Sequence, residues 1–185
     1  MSRGVYTGVP FGSIQTSVYD QMGVAVDGGL YSASDYNLVD SISVGETNGV
    51  GVGYGVVASL ITGAIVGGIN DREVKLPTSS STAANFGGFV IRTQAGYTDA
   101  SGNNYVPENR MASVLRADRV GGRIWIKMYD AFTADTNANW VVGTVSGIPT
   151  GRIAGAATAS NTVALTNVKF RTTGVAGDYA LVEIV

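Results

Sequence analysis

The chain has 185 residues with neither cysteine nor histidine, 14% charged residues and a net charge of −2. Without imidazole or thiol there is no Ser–His or Cys–His nucleophile, no Cys/His metal cage and no disulfide framework. The 45% hydrophobic content suits one packed domain, and so few charges suit surface that is buried against other chains.

Charge is unevenly placed. Residues 1–71 hold six acids (Asp20, Asp27, Asp35, Asp40, Glu46, Asp71) against Arg3 alone, a net −5. Residues 72–185 hold eleven bases against eight acids, a net +3. This asymmetry is either chance in a charge-poor chain or two complementary surfaces that meet in an assembly and set its orientation.

In residues 1–48, aromatics are scattered (Tyr6, Phe11, Tyr19, Tyr31, Tyr36) and glycine recurs too often for a long helix. An extended arm with short strands is predicted, its tyrosines packing on other chains or on this chain's own core. No basic stretch followed by an apolar run marks a secretory signal near Met1.

Thr47 to Asn70 contains no charge, the length of a membrane span, but Gly49, Gly51, Gly53 and Gly55 alternate around Val50, Val52 and Tyr54. Period 2 means extended chain, so two buried strands are predicted, about 50–58 and 60–69, and no membrane partner. Gly53-Tyr54-Gly55-Val56-Val57-Ala58 imitates a dinucleotide fingerprint, with Asp71 near the offset of a ribose ligand, but no helix follows it.

Lys75-Leu76-Pro77 closes a strand before the Ser/Thr-rich loop Thr78 to Ala84, and Phe89 to Thr93 reads as the next strand. Polar turns are predicted at Asp99 to Asn104, Gly121-Gly122 and Gly174 to Asp178. Arg110–Arg119 is the one segment that fits a short helix. Arg123 to Tyr129 alternates, placing Ile124, Ile126 and Met128 inward and Arg123, Trp125 and Lys127 outward.

Trp140 to Val145 is a further strand. Asp135 to Asn139 before it imitates a calcium loop but lacks the required glycine and closing glutamate. In Val163 to Arg171 the inward positions are Val163 and Leu165, then Val168 and Phe170; this change of parity predicts a bulge or tight turn at Thr166-Asn167. The closing strand, Tyr179 to Ile184, is apolar on both faces, which suits a central place in a sheet or a subunit contact.

The prediction is an all-β protein: a compact β-barrel or β-sandwich at 49–185, preceded by an extended N-terminal arm at 1–48. No side-chain set for catalysis, cofactor or metal is singled out. Arg110, Arg116, Arg119, Arg123 and Lys127 are the densest bases and stand near Trp125 and Tyr129. In a chain of pI about 5.0 they favour a solvated or inter-subunit face over a nucleic-acid groove.

Several segments in order resemble one family: Gly55-Val56-Val57-Ala58, Val74 to Pro77, Phe86 to Arg92, Tyr105-Val106-Pro107, Ala112 to Leu115, Gly122 to Ile126, Gly151-Arg152-Ile153 and Ala176 to Ile184. The succession is similar to the structural cement, or head decoration, proteins of tailed bacteriophages, over roughly residues 50–185. That resemblance implies a non-enzymatic virion protein, assembled in the host cytoplasm, on the outer surface of the capsid. There it would bridge major capsid protein subunits and often act as a homotrimer. The interface residues expected in that case are Tyr6, Phe11, Tyr19, Tyr31, Tyr36, Arg116, Arg119, Arg123 and Lys127. A tail-tube or fibre-associated protein, and a surface module that binds or hydrolyses glycans, are the alternative readings.

Overall fold

A computed structural model describes residues 25–32, 35, 38–60, 72–93, 97–98 and 104–185. Among these the architecture is all-β, with a short 3-10 turn at Ala83–Asn85 and no α-helix. Tyr6, Phe11, Tyr19 and Tyr36 lie outside the described residues, as do most of the strand predicted at 60–69 and the turn at 99–103.

The first half of the chain builds a barrel from β1 (Val39–Val44), β3 (Gly55–Leu60), β4 (Arg72–Lys75), β5 (Phe86–Val90) and β8 (Met111–Arg116). The ring closes because β1 pairs parallel with β4 and antiparallel with β8, leaving no strand with a free edge. Side chains on five short strands point into a narrow bore. Its filling is accordingly small and β-branched: Ile42, Val44, Val56, Val74, Val90, Ala112 and Val114, all buried. Two expectations change here. Residues 39–44, predicted within the arm, are a barrel strand. Arg110–Arg119, the candidate helix, is mostly β8, where Ala112 and Val114 point into the bore and Leu115 packs in the second core. The local pattern Met111-Ala112-Ser113-Val114-Leu115 suits either element, and pairing with both β1 and β5 decides it.

The second half forms a five-stranded antiparallel sheet in the order β11 (Ile153–Ala154), β10 (Asn137–Val141), β12 (Thr162–Phe170), β13 (Tyr179–Ile184), β9 (Arg123–Lys127). Ile124, Ile126 and Met128 are fully buried, as the alternation predicts, and β13 lies between two neighbours. The parity change in β12 is a bulge: Leu165 opposes Ala138, while Lys169 opposes the adjacent Asn137. Leu165, Val168 and Phe170 thereby all stay buried. A small sheet, β2 (Val50–Gly51), β7 (Asn104–Val106) and β6 (Tyr97–Thr98), completes the fold.

Barrel and sheet meet through a second, aromatic core. Phe86, Phe89 and Leu115 leave the barrel to join Ile124, Phe132, Trp140, Phe170 and Val182. Phe86 packs edge-on against Phe89 (5.0 Å) and Trp140 (5.2 Å). The Trp140 indole Nε1 donates to the carbonyl of Gly55, 3.1 Å away, so a sheet residue hydrogen-bonds a barrel strand. A Cβ at Gly55 would press on the Phe86 ring and the Trp140 indole, which is why this strand begins with glycine.

A cleft latched by Asp27 and Arg152

The run 50–58, predicted as one strand, is interrupted at Val52-Gly53 and yields β2 and β3 in different sheets. Gly53 has φ +78°, a left-handed conformation that a β-branched residue would resist. A Cβ there would also run into the Asp27 carboxylate and the Arg152 guanidinium.

Those two groups hold the N-terminal segment to the body. Arg152 donates both terminal nitrogens to Asp27, at 2.8 and 2.6 Å, across 125 positions of sequence. Asp27 also accepts the backbone N–H of Lys127 at 3.0 Å. The guanidinium lies over Tyr54 (4.3 Å to the ring centre) and faces Tyr129 (5.6 Å). Burial alone would lower the pKa of Arg152, but the hydrogen bonds and charge of Asp27 outweigh it, so the net shift is upward.

From this latch, residues 28–31 run antiparallel along the outer edge of β9. Gly28 N–H bonds Trp125 C=O (2.8 Å), Trp125 N–H bonds Gly29 C=O (2.8 Å), and Tyr31 N–H bonds Arg123 C=O (3.0 Å). The segment covers an edge that would otherwise template pairing with another chain. Tyr31 then lies against Arg123 (4.5 Å) and Trp125 (6.4 Å) while remaining 46% exposed.

The structure therefore gathers Tyr31, Arg123 and Lys127 on one edge. Arg116 instead pairs with Asp40 and Asp118, both at 2.7 Å, and Arg119 is exposed in the β8–β9 turn. Two of the N-terminal acids, Asp27 and Asp40, thus meet bases of the later sequence inside one chain. Glu46 likewise accepts the backbone N–H of Leu76 at 3.2 Å. The candidate calcium loop is a turn with Asp135 at φ +63°, its carboxylate bound to Arg171 at 2.7 Å.

Beside the latch is a cleft of about 610 Å³ where the barrel, the small sheet and the five-stranded sheet adjoin. Tyr54, Tyr105, Tyr129 and Tyr179 line it together with Arg92, Lys127 and Arg152, and Asp27 is the one carboxylate among the described lining residues. Among the described residues the lining holds no two-carboxylate pair. It is rich in Tyr and Arg, the residues enriched where proteins bind proteins. Sequence spacing gave no sign of this cleft, since its lining comes from positions 26 to 179.

Comparison with known proteins agrees with this architecture. A chain from the structure of the capsid of Myoviridae phage XM1 superposes with a TM-score of 0.52, covering 78% of this chain and 81% of that one at 16% identity. That likeness is one of fold. No curated protein sequence matches. The family model for structural cement protein matches residues 14–185, taking in the barrel, the sheets and the segment that carries Asp27. On that match the chain belongs to the structural cement protein family of phages, a family of capsid structural proteins.

Proposed function

We propose that this protein decorates the outer surface of the phage head and cements it, bridging neighbouring major capsid protein subunits as a homotrimer. The observation that carries the reading is the family match over residues 14–185. The low charge density and the Tyr/Arg-rich surfaces around the latch support it, being suited to burial against other chains. Mechanically, three modest footholds held at once dissociate far more slowly than one.

In this reading Tyr31, Arg119, Arg123 and Lys127 contact a coat subunit or a neighbouring copy. The aromatic-bearing residues before position 25 add contacts to the same partners. Deleting residues 2–24 then leaves a folded β body that no longer stays on shells. Labelling the protein on intact particles tests its place, and its mass in solution tests the trimer. Label on the head with three times the chain mass is expected; label confined to the tail would overturn the reading.

A further inference from the structure

The latch cleft has a chemical bias that the cementing role does not require. Among the described residues its lining has three cations and one carboxylate, on a chain whose net charge is −2. Asp27 is consumed by Arg152. Arg92 and Lys127 are exposed and form no ion pair among the described residues. They bracket the latch: Arg92 N–H donates to Gly28 C=O (2.7 Å) and Lys127 N–H to Asp27 (3.0 Å). Their backbones are thereby fixed while their charged ends stay free.

Apolar area is offered at the same place. Val26 (38% exposed) and Tyr179 (37%) are two of the large hydrophobic side chains left in solvent, and both line this cleft. A rigid floor, free cations and exposed aromatic area together make up a recognition site for a chain that brings carboxylates and a ring.

We propose that this cleft binds an extended acidic peptide segment of a partner protein, with carboxylates seated on Arg92 and Lys127 and an aromatic side chain against Tyr179. A neutral glycan fits less well: the Asn48 and Asn104 amides and the tyrosine hydroxyls can serve its hydroxyls, but it leaves Arg92 and Lys127 without a counter-charge. A single small anion would leave most of the roughly 610 Å³ unfilled. Two free cations are too few to hold a polyphosphate backbone at physiological salt.

The test uses the full-length protein and calorimetric titration with the synthetic peptide acetyl-Asp-Tyr-Glu-Asp-Phe-Glu-amide. Its Asn/Gln counterpart and a neutral maltohexaose serve as comparisons. The acidic peptide is expected to bind with a Kd below about 1 mM, and the amide peptide at least about tenfold more weakly. The double variant Arg92→Gln with Lys127→Gln should lose at least about tenfold in affinity while its melting temperature is retained. Salt should weaken the wild-type complex and leave the residual binding of the variant nearly unchanged. Equal binding of the acidic and amide peptides, no binding of either, binding of the sugar alone, or an unaffected double variant would each overturn the proposal. Because no capsid enters the titration, its outcome is independent of whether the protein cements heads.

Discussion

The barrel and the five-stranded sheet solve the same problem, burying one face of every strand, with different side chains. Inside the barrel the buried filling is valine, isoleucine and alanine, with Tyr54 and Leu76 only partly buried against that cluster. Between barrel and sheet the filling is Trp140, Phe86, Phe89, Phe132 and Phe170. Bore width sets the limit in the first case, because strand number fixes diameter. In the second the two layers stand apart by whatever the rings require. The barrel is therefore intolerant of added volume, and the sheet interface is intolerant of lost volume.

The largest effect expected from this contrast is at the interface. Trp140→Ala removes the ring that joins the layers and leaves the Gly55 carbonyl without its donor, a loss of about 3–5 kcal/mol in chemical denaturation. Next is the latch. Asp27→Ala leaves the buried Arg152 charge uncompensated, at a cost of about 3 kcal/mol at the lower end for such pairs, since Asp27 is partly solvated. An Asp27→Leu, Arg152→Met double variant should recover most of that loss if unpaired charge is the cause.

Smaller is the expected cost of overfilling the bore. Val56→Leu and Val114→Leu should each destabilise by about 1–3 kcal/mol, whereas a similar enlargement facing the aromatic layer, Val182→Ile, should cost less. Equal costs at the three sites would erase the distinction between the two cores.

The smallest effect is expected at the exposed ion pairs, where Arg171→Gln should leave denaturation unchanged. Lys75, raised above its ordinary 10.5 by its hydrogen bond to Glu73 and then by that residue's charge, behaves likewise. A raised base contributes below its unfolded pKa and loses that contribution as pH climbs through the folded one. Any change in stability traced to Lys75 should therefore begin only above about pH 10.5.

How far the sequence revealed the fold follows from how local each determinant is. β9 and β13 were legible because alternation and unbroken apolar runs are properties of adjacent residues. The β12 bulge was legible for the same reason, as a change of parity between Leu165 and Val168. The split of 50–58 was not, because Gly53 among alternating glycines looks like its neighbours until Asp27 and Arg152 are seen to crowd it. β8 was ambiguous because its apolar spacing permits a helix and only pairing with β1 and β5 excludes one. The latch and its cleft depend on contacts 125 positions apart, and no spacing rule reaches that far.

The charge asymmetry carried part of the answer. It was open to two readings, chance or two surfaces that meet in an assembly; the structure shows a third use of it, acids of the early chain paired with bases of the later chain inside one molecule, Asp27–Arg152 and Asp40–Arg116.

The measurement that bears most directly on the cementing role is the heat resistance of heads stripped of this protein, with and without purified protein added back. The account predicts that stripped heads assemble and hold DNA at low temperature, burst on heating, and regain full resistance when the protein rebinds. Stripped heads as durable as complete ones would contradict it.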